Sequence, residues 1–267
     1  MKLNEIKDPI DIYPQFCLDE DFYNRIKIEN IKINEKELEQ WLNCNKHVTN
    51  YTRLLRYFLS SYLIKLDEMD NVLDVGSGDD TYALLIKDSV HNVILNDVVF
   101  NKYRSTENVY IIKENVFDFN FEKYRINKIV VGHAFEHMKF DDDKKLIELI
   151  CSKLPEGGKC CIEPIFLGRK YLEVFNYDEN EQYDFLAKKI ITRQSNFPGK
   201  KEHNMGFARI YSETSFYERV LKIIEEKGLK YRLISFSIND KYLPDMDKYV
   251  FKRTSINYPL RMLLIEK

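Results

Sequence analysis

Asn71 to Val98 read NVLDVGSGDDTYALLIKDSVHNVILNDV. Val72, Leu73 and Val75 follow one another without the polar alternation of a half-buried strand, the pattern of a strand covered on both faces in a parallel sheet. The run stops at Gly76, Ser77 and Gly78, where missing side chains allow a sharp turn and let a ligand approach the backbone closely. A helix is expected from about Asp80. Val93, Ile94 and Leu95 then form a second buried strand that ends at Asn96 and Asp97. Strand, glycine turn, helix and strand make half of a nucleotide-binding βαβ unit, with a carboxylate at the carboxyl edge of the neighbouring strand.

The residues after the second glycine decide which ligand fits. A dinucleotide fingerprint needs a third glycine after two more residues and a helix start that receives a pyrophosphate. Here Thr81 holds that place and Asp79 and Asp80 precede it, so two carboxylates repel a diphosphate that the helix dipole would otherwise attract. A ligand without phosphate, carrying a cationic centre, a zwitterion and a ribose diol, suits such acidic surroundings. LDVGSG with LND at the second strand end resembles the class I S-adenosylmethionine (SAM)-dependent methyltransferases. The resemblance implies SAM as cofactor, with Asp74, Gly76, Ser77 and Gly78 bordering its methionine part and Asp97 taking the ribose hydroxyls. It also implies a doubly wound, Rossmann-like α/β fold: a seven-stranded, mostly parallel sheet with an antiparallel edge strand. The alternative for Gly76 and Gly78 is a tight strand-to-helix turn and no more.

At 267 residues the chain fits one large domain with a cap. Its net charge of −2 supplies no general attraction to nucleic acid or to an anionic membrane surface. The five cysteines, Cys17, Cys44, Cys151, Cys160 and Cys161, are odd in number and lack CxxC spacing, so they are expected to be reduced and bound to no metal. The amino terminus lacks an apolar core of signal-peptide length, and no run reaches the ~18 apolar residues of a bilayer span. A cytoplasmic enzyme is the simplest expectation.

Residues 1–68 show helical patterns and no strand: Leu38, Trp41 and Leu42 share one face, and Leu54, Leu55, Phe58 and Tyr62 recur at three- and four-residue steps. This predicts a helical cap ahead of a catalytic domain at 69–267. By resemblance, an arginine or tyrosine some distance before the glycine loop meets the methionine carboxylate, and Tyr51 and Arg53 stand there; a solvated arginine beside a core tyrosine is the other reading.

Val109 to Ile112 predict a third strand. In the loop after it the resemblance places adenine contacts on Asn115 and Val116, with Asp118 as the fallback. The strand Lys128 to Val131 ends in GHAFEHM, Gly132 to Met138, and ligands of doubly wound folds lie outside such carboxyl ends near the switch in strand order. Gly132 therefore faces the cofactor. Methyl transfer to a hydroxyl needs positioning and a base for the proton, and a histidine suits that task. His133 is the first candidate; the alternatives are that it only ends the strand or packs on the cofactor. His137 belongs to an EH pair frequent at this place in the family, and a metal site shared by His133, Glu136 and His137 is disfavoured because a turn interrupts the helical face. A helix over 141–154 and a strand over 159–163 come next, and LPEGGKCCIEP continues the resemblance, which covers about residues 70 to 165.

Residues 166–211 then interrupt the scheme after the fifth strand and predict a lid over the acceptor. From Phe185 to Tyr211 the segment carries Lys188, Lys189, Arg193, Lys200, Lys201 and Arg209 against Glu202 alone, which suggests an anionic acceptor. Arg169, Arg193, Arg209 and Tyr211 are the substrate-binding candidates, and His203 is the second candidate base. Incidental charge on a solvated lid is the alternative. From Ser212 a capped helix stops at Gly228, and two strands, 231–237 and 260–265, close the domain. GHAF stands where related base-amine methyltransferases carry an Asn/Asp/Ser-Pro-Pro-aromatic segment, so nucleic acid is disfavoured and a small metabolite favoured. The diffuse likeness of the whole chain to enzymes of surface-polysaccharide sugars implies O-methylation of a nucleotide-activated sugar or similar phosphorylated precursor. A quinone, a phenol, an amine, or a non-catalytic partner role remain the alternatives, and the oligomeric state is open.

Overall fold

A computed structural model describes residues 5–7, 20–45, 51–79, 81–99, 105–176, 182–192, 207–237 and 261–267. In chain order the elements are β1 (Glu5–Lys7), α1 (Glu20–Arg25), β2 (Ile28–Lys32), α2 (Glu35–Cys44), α3 (Tyr51–Ile64), β3 (Asn71–Val75), α4 (Thr81–Ile86), β4 (Asn92–Asp97), β5 (Val109–Lys113), α5 (Phe121–Tyr124), β6 (Lys128–Gly132), α6 (Asp142–Lys153) and β7 (Lys159–Glu163). They continue with β8 (Leu172–Asn176), β9 (Lys188–Thr192), β10 (Phe207–Ile210), α7 (Glu213–Phe216), a π turn at Tyr217–Leu221, α8 (Lys222–Glu226), β11 (Lys230–Ser237) and β12 (Arg261–Glu266).

The large sheet runs β2-β11-β12-β7-β6-β3-β4-β5. β3, β4, β5, β6 and β7 are parallel, and β3 pairs with both β4 and β6. The chain winds outward from β3 to β5 and then returns to lay β6 on the other side of β3. The strand order therefore reverses between β3 and β6, and their carboxyl ends open the crevice in which such sheets hold ligands. Successive side chains of each strand feed opposite faces. Leu73, Ile129 and Val131 pack on Leu146, Ile147 and Ile150 of α6 and Val220 and Ile224 beyond it; Val72, Val93 and Val130 pack on Leu55 and Leu59 of α3 and on Tyr82 and Ile86 of α4. This is the doubly wound architecture expected of the domain that begins at 69.

Two parts differ from expectation. The antiparallel strand β12 lies inside the sheet, between β7 and β11, and the edge belongs to β2, an eighth strand parallel to β11. The 1–68 segment is thus more than a helical cap. Its β2 sequence IENIK half-buries only Ile28 and Ile31, a spacing of three that imitates a helix face.

The 166–211 segment is not bare lid. β8, β9 and β10 form a second sheet, order β1-β9-β8-β10, to which β1 adds a parallel edge. Leu172, Ile190 and Ile210 form a small core of their own. A buried charge cluster ties this sheet to α6 and the π turn. Arg209 bonds Glu173, its direct cross-strand partner, at 2.7 Å and Asp143 at 2.8 Å. Arg219 reaches Asp143 at 2.7 Å and Asp184 at 2.8 Å, and both arginines donate to the Phe140 carbonyl. Tyr211 donates its hydroxyl to Asp143 at 2.8 Å.

Candidate active site

The crevice is built where β3 and β6 end side by side. After Val75 the chain turns at Gly76, whose N–H donates to the Asn96 carbonyl at 2.8 Å, so the turn is pinned to the end of β4. Gly76 and Gly78 have φ +67° and +65°. At Gly76 space also matters, because a Cβ there would lie 2.5 Å from the Cβ of Ala134. Asp97 accepts the Gly78 N–H at 2.8 Å through one carboxylate oxygen and the Val99 N–H at 2.9 Å through the other. Each oxygen keeps acceptor capacity, since a carboxylate offers about four lone-pair sites. Asp74, at the end of β3, and Ser77, within the turn, are both buried.

Asn115 caps the short turn Val116–Asp118, its side-chain oxygen accepting from Phe117 N–H at 3.1 Å, while Val116 is buried. The residue stands beyond β5, one strand further out than Asp97.

On the β6 side Gly132 leaves room for Glu163 of β7: a Cβ at Gly132 would meet a Glu163 carboxylate oxygen at 3.2 Å. His133 comes next with φ +54°, and its N–H donates to the Glu163 carbonyl at 2.7 Å. Its ring is partly exposed, and Nδ1 lies 2.8 Å from the carboxylate of Glu136, which is buried. His137 is bound through Nδ1 to the Phe207 carbonyl of β10, which links the second sheet to this loop. Burial pushes the Glu136 carboxyl above its ordinary range, against the opposing pull of His137 and Arg56. Among the described residues no group of three His, Cys, Asp or Glu is placed to hold a metal ion.

Among the described side chains of α3, Arg56 reaches this region. It is buried, with Nη1 3.6 Å from Glu163, and Gly132 approaches the neighbouring Tyr57 ring. Tyr51 and Arg53 lie in the first turn of the same helix, their side chains outside the described residues. Arg56 and Glu163 do not stand out in the sequence as site residues. The signal that could have found them is an arginine inside the apolar run LLRYFL, where a charge needs a buried partner.

Of the substrate-binding candidates, Arg169 is exposed. Arg209 and Tyr211 are corrections: both are fully buried and their polar groups go to Asp143, Glu173 and Phe140. Their charges answer carboxylates of the protein, which a burial cost demands. Arg193 and His203 lie outside the described residues.

No protein-family model matches the chain, and no curated protein matches it. Solved structures do. The chain is similar to a 1,6-didemethyltoxoflavin N1-methyltransferase of Burkholderia thailandensis with bound 1,6-didemethyltoxoflavin and S-adenosylhomocysteine, at 15% identity and TM-score 0.49, over 87% of this chain and 86% of that one. It is similar to a SAM-dependent methyltransferase of Clostridium acetobutylicum, at 13% identity and TM-score 0.44, over 87% and 98%. A precorrin-6y C5,15-methyltransferase of Geobacter metallireducens matches at 7% identity and TM-score 0.43, over 79% and 87%.

Proposed function

We propose that this chain is a methyltransferase that uses SAM and methylates a hydroxyl of a small molecule. The observation that carries the reading is the acidic glycine turn: Asp97 receives the Gly78 N–H and retains acceptor sites for a ribose diol, beside buried Asp74, with Asp79 next in the chain where a diphosphate would need positive potential. When bound, SAM supplies an electrophilic methyl group on a cationic sulfur. The chain's own residues then orient the cofactor through Asp97, Gly76 and Asn115 and present His133 at the adjoining strand end to accept the hydroxyl proton.

The acceptor we favour is an anionic metabolite such as a nucleotide-activated sugar or another phosphorylated precursor of surface polysaccharide. The lysines and arginines of 185–211 support it, and exposed Arg169, ahead of that stretch, adds to the positive charge. Commitment of Arg209 to Asp143 and Glu173 weakens that argument and favours, as a second reading, an uncharged quinone, phenol or amine.

Calorimetric titration with S-adenosylhomocysteine tests the cofactor, with NAD as the comparison ligand and Asp97→Ala as the control. Micromolar binding of S-adenosylhomocysteine alone, lost in Asp97→Ala, is expected; a folded wild type that ignores it, or prefers NAD, overturns the proposal. The sequel is a methyl-uptake screen of nucleotide sugars against phenols.

A further inference from the structure

Glu136 is a buried carboxylate that the methyl transfer does not by itself require. It is 2% exposed, whereas the side chain of its partner His133 is 44% exposed, so the pair is sealed at one end and open at the other. His133 makes this contact from a left-handed backbone, at φ +54°, a conformation that is strained for an L residue. Such strain persists where the surroundings over-determine it, and here the 2.7 Å bond from His133 N–H to Glu163 and the 2.8 Å contact from Nδ1 to Glu136 both do so. The same carboxylate oxygen lies 3.7 Å from Nε2 of His137, whose Nδ1 is taken by the Phe207 carbonyl. The charged groups around Glu136 are thus His133, His137 and Arg56, with Glu163 behind Arg56.

We propose that Glu136 is a positioning residue for this reaction: its carboxylate accepts the Nδ1–H of His133, holds the imidazole in that tautomer, and leaves Nε2 to take the proton of the acceptor hydroxyl. The inference rests on the function proposed above. A free imidazole favours the opposite tautomer, with the proton on Nε2, so without a fixed acceptor at Nδ1 much of the population presents a donor where a base is needed. In the step itself the acceptor oxygen bonds to the methyl carbon as the carbon–sulfur bond breaks and its electron pair stays on sulfur. The hydroxyl proton passes to Nε2. The imidazolium so formed is stabilised by Glu136 and returns its proton to water through its exposed edge.

The test needs no acceptor. Histidine-selective 15N labelling, with five histidines to assign and His133→Asn to identify the signal, reads the tautomer at pH 8 from long-range proton–nitrogen correlations. Wild type is expected to carry the proton on Nδ1. Glu136→Gln, which keeps an oxygen acceptor but loses the charge, should retain that tautomer and lower the His133 pKa by about 1 unit. Glu136→Met should shift the population to Nε2–H. Wild-type His133 found as Nε2–H, or a tautomer unmoved in Glu136→Met, overturns the proposal; if Glu136→Met does not fold, the wild-type tautomer and the Glu136→Gln pKa decide. S-adenosylhomocysteine titration of the same samples separates the two readings. Binding with the wrong tautomer sinks only the role of Glu136, and no binding to wild type sinks the methyltransferase and this role with it.

Discussion

Replacing Gly76 by alanine separates backbone strain from crowding at the crevice. Gly76 and Gly78 share nearly the same positive φ, +67° and +65°, but a Cβ at Gly76 would lie 2.5 Å from Ala134 Cβ while one at Gly78 meets nothing within 4 Å. Left-handed backbone costs alanine ~1–2 kcal/mol at either position. Relief of the clash needs movement of two backbones, because both Cβ atoms are fixed to their main chains, and overpacking of this kind costs ~1–3 kcal/mol. Gly76→Ala should therefore destabilise by ~2–5 kcal/mol and Gly78→Ala by ~1–2 kcal/mol, measured as urea midpoints at equal m-values by circular dichroism. Ala134→Gly should restore part of the Gly76→Ala loss, with a coupling energy of ~1–2 kcal/mol in the double-mutant cycle. Because Ala134 adjoins His133, the same displacement should weaken S-adenosylhomocysteine binding in Gly76→Ala. Equal midpoints for the two single variants, or strict additivity with Ala134→Gly, would refute the argument that close approach of the β3 and β6 ends is what requires Gly76.

Arg209→Met should cost ~3–5 kcal/mol in the same assay, because buried Asp143 and Glu173 both lose the guanidinium that pairs with them, whereas exposed Arg169→Ala should stay within about 0.5 kcal/mol; a neutral Arg209→Met would return that cation to the candidate ligand-binding groups. Among the described thiols, exposed Cys44 should be alkylated by iodoacetamide at pH 8. Cys151 is pushed up to about 11 by burial, and burial raises Cys160 and Cys161 as well, so the reactive thiolate is scarce until pH climbs toward those values. Peptide mapping that finds Cys160 or Cys161 labelled in the folded protein at pH 8 would contradict that burial.

The parts legible in the sequence are those whose local pattern and tertiary environment agree. β3 and β4 are covered on both faces and read as continuous apolar runs; α6 carries a 3.6-residue apolar stripe behind an acidic first turn. The glycine turn is legible because two positive-φ positions and a close strand-end approach call for glycine, and Asp97 stands at the end of the next strand, where it binds that turn. β2 is different. Its single hydrogen-bonding partner is β11, about two hundred residues downstream, and an edge strand half-buried on one side has little periodicity to show. The pairing of Glu136 with His133 is illegible for another reason: it depends on a left-handed residue that no apolar pattern announces.

Charge is where counting along the chain fails most clearly. Six cations against one acid between Phe185 and Tyr211 suggest an anion, but the balance of a segment says nothing about which carboxylates elsewhere will face it. Glu173 breaks the alternation of β8 by being buried, and along the chain nothing announces that Arg209, 36 residues on, lies directly across from it in β10. Asp143 sits in the first turn of α6, where it reads as a helix-dipole acid, yet it is fully buried and receives Arg209, Arg219 and Tyr211 together. Lys189, also buried, lies 5.0 Å from the centre of the Phe175 ring. The second sheet is therefore clamped to α6 and the π turn by Arg209, one of the cations that suggested a substrate, together with Arg219, and the same sheet carries Phe207 to His137. An Arg209 substitution should accordingly disturb, through β10 and the Phe207–His137 contact, the loop that holds His133.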